Sequence, residues 1–385
     1  MARTRSLRVQ RLLLLAGLLC TFQPFSSAQD QRLIDSLEAC LVELKAADRE
    51  SGKAEPSLYD SSTANVLNKL GKAFMDTDTV RAMACYRREL GLSERIGYDL
   101  GVCRSLNNMA MLNFLRSNFA TAVGQLERSL TIAEEIGNRR VVKLDVFLLG
   151  QIRYQQGQYP EALKYLLAAH ELFEDDGDRK ELAQADNTIA NVYQKVGNDR
   201  EALTVLTASL RVREELGDTL GMAQSHFNIG KMRYILNNDR SAKESYEVAL
   251  LFYQRKLNKR GIASCLREMS LLTMNEKDDS GALEFALKAL SLDEEIGNKQ
   301  GVIDDQNAIA LVHGRQGRHE LAITCFKNVL EMAEETGDVT MVASACSGLS
   351  TSYEALQRPV EALEFHKRFT SLKDSLSNRE TSTRI

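Results

Sequence analysis

Asparagine, phenylalanine and arginine recur along this chain on one forty-residue step, as Asn107, Phe147, Asn187, Phe227, Arg267 and Asn307. Four positions further on, the same step carries Met111, Gln151, Asn191, Lys231, Leu271 and Leu311, and three beyond these lie Tyr154 and Tyr234. These residue types recognise rather than make bonds. An amide donates and accepts at once and so can hold a peptide backbone. Lys231 and Arg267 can meet a carboxylate, and the aromatic rings supply apolar anchors. The candidate partner-binding set is therefore Asn107, Phe147, Tyr154, Asn187, Asn191, Phe227, Lys231, Tyr234, Arg267 and Asn307. The same asparagines can instead cap or bridge neighbouring helices, and the sequence leaves both roles open.

Residues for catalysis do not assemble. His313 and His319 straddle a turn, His170, His226 and His366 lie far apart, and there is no HExxH helix. There is no GxSxG elbow, no phosphate-binding glycine loop and no cysteine with a histidine to orient it. The Glu-Glu pairs return at every helix end and read as solvated faces. Cys40, Cys85, Cys103, Cys265, Cys325 and Cys346 contain no CxxC pair, and four occupy apolar helix positions. Buried free thiols are expected, with Cys85–Cys103 and Cys325–Cys346 as the alternative bridges. No enzyme, metal or cofactor is expected. A formal charge of −4 leaves no positive excess for a phosphate backbone, so nucleic acid is not an expected partner.

The elements that must carry the candidate set follow from the same period. Alanine returns at 82, 122, 162, 202, 242, 282 and 322, and again at 362. Twelve residues before each from the second onward stands a small residue: Ala110, Gly150, Ala190, Gly230, Ser270, Ala310 and Ser350. Two helices approach closely only where neither carries bulk at the crossing, and this pair of positions provides the clearance. Glycine follows each second helix at 97, 137, 177, 217, 297 and 337, and Leu257 alone breaks that series. The segment QRKLNKR around Leu257 is read as a helix that runs on slightly longer. Gly157, Gly197, Asn237 and Gly317 mark the turn inside each hairpin. A hairpin of this size cannot bury its own apolar face, so it must stack on its neighbours.

These positions resemble the tetratricopeptide repeat, in the forty-residue form whose second helix ends in an EEIGN or EELGD stretch. Those stretches run from Glu134 to Asn138, Glu214 to Asp218, Glu294 to Asn298 and Glu334 to Asp338. The resemblance implies an all-α protein, a right-handed α-solenoid of about eight helical hairpins across residues 57–377. It also implies a scaffold or adaptor that takes a protein or peptide in a concave groove lined by the first helices. The closing LKDSL from Leu372 and the opening IDSLEACLVEL from Ile34 are similar to the periplasmic repeat regions of bacterial sensor histidine kinases and related regulators. That likeness implies a sensor ectodomain without its transmembrane and output domains as the alternative, with a membrane-associated signalling partner.

The N-terminus places Arg3, Arg5, Arg8 and Arg11 before the apolar run Leu12 to Leu19, and small residues follow at Ser26, Ser27 and Ala28. This is the pattern of a signal peptide over residues 1–28, so an exported protein, periplasmic or secreted, is expected. A capping helix and linker should fill 29–56, and residues 378–385 should form a disordered tail. No later stretch reaches the roughly 18 apolar residues of a membrane span.

Overall fold

The computed structural model describes residues 27–51, 58–75 and 77–384. The signal-peptide segment up to residue 26 and the stretch Gly52 to Pro56 lie outside them. Among the described residues there are seventeen α-helices and no strand.

They fall into two units. The first, ending at Gln156, holds α1 (Ser27–Ser51), α2 (Leu58–Phe74), α3 (Thr79–Arg95), α4 (Asp99–Leu115), α5 (Phe119–Glu135) and α6 (Arg139–Gln155). The second, from Gly157, opens with α7 (Tyr159–Asp175), α8 (Arg179–Lys195), α9 (Asp199–Leu216), α10 (Thr219–Ile235) and α11 (Asp239–Arg255). It continues through α12 (Lys259–Asn275), α13 (Asp279–Glu295), α14 (Lys299–Arg315), α15 (His319–Thr336), α16 (Val339–Ala355) and α17 (Pro359–Arg384).

Inside each unit every helix packs on the next in sequence, the arrangement expected of stacked hairpins. The first helices of successive repeats also touch directly: α2 with α4 and α4 with α6 in one unit, α10 with α12, α12 with α14 and α14 with α16 in the other. Second helices of successive repeats make no comparable contact with one another among the described residues, although α7 and α17, both second helices of the second unit, meet directly. Closer spacing on one side puts the first helices on the inner side of each unit's curve.

The turns explain the periodic glycines. Gly97, Gly137, Gly217 and Gly337 lie at φ of 65°, 65°, 64° and 72°, a left-handed conformation that glycine adopts without penalty. The residue that ends three of the four EEIGN or EELGD stretches then caps the next helix, while Asn298 donates to Asp293 instead. Asn138 accepts from Val141 N, Asp218 from Gly221 N, and Asp338 from Thr340 N and Met341 N. In the first repeat Asp78 does the same for Val80 N and Arg81 N. Pro160 occupies the first turn of α7 and Pro359 opens α17, where a missing amide hydrogen leaves nothing unpaired.

Leu257 corrects one expectation. The helix before it does not run on; α11 stops at Arg255 and Leu257 takes φ of 53°, in the place glycine holds elsewhere, with its side chain 84% exposed. Period and turn geometry are kept at the expense of backbone strain. Leu257→Gly should therefore raise stability by roughly 0.5–1 kcal/mol, the left-handed penalty of about 1–2 kcal/mol less glycine's greater unfolded freedom. Urea unfolding of the two proteins side by side checks this, and a lower midpoint for the variant would refute it.

The small-residue column works in two ways. Where it is serine, the hydroxyl donates to the carbonyl of the repeated alanine: Ser270 to Ala282 at 2.8 Å and Ser350 to Ala362 at 3.0 Å. Where it is Gly230, the fully buried Tyr246 ring fills the space, and a Cβ there would sit 2.6 Å from it. The repeated alanines 82 through 322 are fully buried.

At the N-terminal end, α1 lays Ile34, Leu37, Leu41 and Leu44 into a core with Val66, Leu67, Leu70 and Phe74 of α2. At the other end α17 runs to Arg384, so residues 378–384 are helical where a disordered tail is expected from sequence. The stretch after Pro359 contains neither proline nor glycine, and nothing in it breaks the helix.

Candidate functional site

The candidate set lies on the first helices, the inner side of each unit, but most of its members already have partners. In the first unit Asn107 on α4 donates from Nδ2 to Asp145 Oδ1 on α6 at 2.7 Å. Asp145 is fully buried, and burial pushes its pKa up to about 6 against the hydrogen bonds of Ser129 and Asn107. Phe147 is buried and Tyr154 half-buried, both on α6. One turn earlier on α4, Arg104 grips Glu89 Oε1 from Nε at 2.9 Å and Nη2 at 2.6 Å, while Asn68 donates to Oε2 at 2.9 Å. Glu89 is fully buried, and burial raises its pKa although Arg104 and Asn68 oppose it.

In the second unit Asn187 on α8 is 5% exposed. With the amide set in the orientation that satisfies its neighbours, Oδ1 accepts from Nη1 and Nη2 of Arg213 on α9, at 2.9 and 2.5 Å. Arg213 also donates to Gly221 O at 2.5 Å, Ser225 Oγ at 3.1 Å and Ala183 O at 3.3 Å. Every one of these acceptors is neutral, so burial lowers the Arg213 pKa, with Asp218 and Asp186 acting against the shift. Beside Asn187, Asp186 pairs with His170 Nδ1 at 2.9 Å, and burial raises its pKa despite that partner. Asn191 is half-buried and makes no hydrogen bond among the described residues.

On α10 the half-buried Phe227 ring packs against Tyr246 with centroids 5.7 Å apart. Lys231, also half-buried, attracts Glu268 on α12, whose pKa burial raises in spite of that field. Tyr234 OH accepts from Asn275 Nδ2 at 3.4 Å.

Arg267 on α12 is the most heavily partnered member. Its Nε donates to Asp305 Oδ1 at 2.6 Å, Nη2 to Asp293 Oδ2 at 2.7 Å, and Nη1 faces Asp304 Oδ2 at 3.6 Å. Burial disfavours its charge, but the Asp305 hydrogen bond and the fields of three carboxylates outweigh this and raise its pKa. Gly301 is required here, because a Cβ at that position would overlap the Asp293 carboxylate. Asn307 on α14 accepts from Ser344 Oγ on α16 at 3.1 Å. Asn107, Arg267 and Asn307 thus all bridge a first helix to the next first helix.

Sequence reasoning did not single out Glu89, Asp145, Arg213, Asp293 or Asp305. For Arg213 and Asp293 the signal is a break of polarity in a buried column. Residues 93, 133, 173, 213, 253, 293 and 333 are Ser, Ala, Phe, Arg, Tyr, Asp and Ala, and all are buried. The six cysteines from Cys40 to Cys346 are free thiols. Among the described residues no helix is long and apolar enough to cross a membrane.

Residues 181–255 and 306–374 match the family model of the tetratricopeptide repeat, so those two stretches carry such repeats. No curated protein matches the sequence. Solved structures match over nearly the whole chain. A Rap protein complexed with competence and sporulation factor aligns at a TM-score of 0.62 and 15% identity, over 91% of this chain and 97% of that one. The apo form of the quorum sensor NprR from B. thuringiensis aligns at 0.64 and 14%, over 88% and 97%. The Rap conjugation gene regulator of the plasmid pLS20, in complex with the Phr* peptide, aligns at 0.62 and 13%, over 92% and 98%. At these identities the likeness is one of fold.

Proposed function

We propose that this chain is a binding module that holds an extended protein or peptide segment along the inner, first-helix side of its second unit. The observation that carries this is the row Asn191, Phe227, Lys231 and Tyr234. These side chains are half-buried rather than sealed in the core, and they combine amide, ammonium and aromatic groups on adjacent first helices. That mixture suits a peptide main chain with apolar side chains. Two of the similar folds support the reading, one complexed with competence and sporulation factor and one with the Phr* peptide.

The test is retention from a synthetic random-sequence decapeptide library, with the triple variant Asn191→Ala, Lys231→Ala, Tyr234→Ala beside the unaltered protein. Peptides held by the protein and released by the variant support the inner face. Equal retention by both places binding on another surface and overturns the proposal.

The basic and apolar N-terminal segment supports export with cleavage after Ala28, to the periplasm or outside the cell. The LKDSL and IDSLEACLVEL segments support a role in signal transduction beside a membrane partner. The intact mass of the protein from its source decides the first point: a chain that begins at Met1 overturns export.

A further inference from the structure

We infer, independently of the groove, that the turn from Gln254 to Arg260 at the edge of the second unit is a separate docking surface, and that it takes a short acidic segment of a protein partner.

Seven turns join a second helix to the next first helix, and six follow one plan. In those six, from Glu94 to Glu334, a glutamate stands three residues before the left-handed glycine. The seventh reads QRKLNKR, with glutamine in that place and no acidic residue at all. Arg255 occupies the position that Glu215 and Glu295 hold in the neighbouring repeats, where they pair with Arg179 and Lys259. Its own register partner is Thr219, so the row of ion pairs breaks here. Arg255, Lys256 and Arg260 are exposed and make no ion pair among the described residues.

Leu257 stands in the middle of these cations. Its left-handed backbone is one that leucine adopts only at a cost, and burial does not offset that cost, because the side chain is held out in water. One register earlier Leu216 and Leu220 are exposed as well. Unpaired positive charge around a protruding apolar group is the complement of a carboxylate-bearing segment that also carries a large apolar side chain. The guanidinium and ammonium groups meet the carboxylates, and Leu257 is covered by the apolar one.

The shape of the charge selects a narrow partner. The chain carries a formal charge of −4, and the turns on either side hold Glu214, Glu215 and Asp218 before this one and Glu294 and Glu295 after it. A broad anionic surface, a lipid bilayer or a nucleic-acid backbone, would face those acids together with the basic turn. A single extended acidic segment reaches the cations alone.

The decisive variant gives this turn the residues of its neighbours: Arg255→Glu, Lys256→Ile, Leu257→Gly. It keeps the fold, and its melting temperature should match or exceed that of the unaltered protein. The probes are two fluorescein-labelled decapeptide pools, one a random mixture of Asp, Glu, Leu and Phe, the other with Asn and Gln in place of the acids. The acidic pool should bind the unaltered full chain about tenfold more tightly than the turn variant, three exposed contacts being worth a few-fold each. It should outbind the amide pool, weaken as salt is raised, and be held equally well by the groove variant Asn191→Ala, Lys231→Ala, Tyr234→Ala. Binding of the acidic pool within twofold between protein and turn variant, or its loss in the groove variant instead, overturns the inference. So does the absence of acidic-pool binding, with phosphatidylglycerol vesicles retained through the turn pointing to a membrane and a turn-dependent dimer in sedimentation pointing to a second copy of the chain.

Discussion

Replacing Arg267 by Met should lower the stability of the second unit at pH 8, where Asp305 is ionised, by about 3–5 kcal/mol, the largest single-residue effect in the molecule. The loss comes from what is left behind rather than from the pair as such. Asp293 and Asp305 are fully buried, and Arg267 is the cation that both of them touch. Without it Asp293 keeps only the Asn298 amide at 2.8 Å on its other oxygen. An uncompensated buried carboxylate must take up a proton, open the helix pair to water, or both. A surface bridge behaves differently. Arg128 and Glu94 meet at 2.7 Å with side chains 51% and 41% exposed, and Arg128→Met should change stability by no more than roughly 0.5 kcal/mol.

Stacked repeats unfold locally as well as globally, so hydrogen exchange over residues 259–315 is the sharper readout than a single melting temperature. Arg267→Met should speed exchange in α12, α13 and α14 and leave the first unit unchanged. The triple variant Arg267→Met, Asp293→Asn, Asp305→Asn should recover most of the loss, since it removes the stranded charges together with the cation. A single variant that loses less than about 1 kcal/mol, or a triple variant no better than the single, would show that charge is not what Arg267 supplies.

The fold was legible because it is written many times over. A forty-residue step in alanine, small residue and glycine specifies hairpin, crossing and turn, and each copy checks the others. Leu257 misleads for the opposite reason: by residue type alone that turn looks like a continuing helix, but the register of its neighbours wins and leaves a left-handed leucine. The site was less legible. Placing Asn107, Arg267 and Asn307 on the inner side followed from the period, but which of their atoms are free depends on Asp145, Asp305 and Ser344, some forty residues away. The amide of Asn187 is set by Arg213, on a helix whose outer face is all the sequence pattern reveals. Charges inside a column that is otherwise apolar or small were the visible trace. A charged residue that breaks such a column needs polar partners inside the stack: Arg213 donates to Gly221 and Ser225 of the next repeat, and Asp293 pairs with Arg267 of its own.

Stability should fall as pH rises from about 4 to about 7, the reverse of ordinary acid denaturation, and Asp305 should account for about one proton of that slope. Burial pushes the Asp305 carboxyl up to about 7, the Arg267 hydrogen bond and charge oppose the shift, and Asp293 adds to it. Its Oδ2 has no hydrogen-bond donor in reach, which is the place an added proton occupies. Below the unfolded value near 4 both states carry the proton and the folded form suffers no penalty. Between the two values the unfolded chain has released the proton while the folded one still holds it. Over that window each pH unit removes up to roughly 1.4 kcal/mol per group, and above about 7 the curve is flat. Asp145, raised to about 6, acts in the same sense in the first unit, and burial raises Glu89, Asp186, Asp304 and Glu268 as well. Asp305→Asn keeps an acceptor for Arg267 Nε and cannot ionise. Its urea midpoint should depend less on pH than that of the unaltered protein and should overtake it by pH 8. A variant with the same pH dependence would clear Asp305 of the role, and a midpoint that rises steadily from pH 5 to 8 in the unaltered protein would mean that these buried carboxyls are ionised in the folded state.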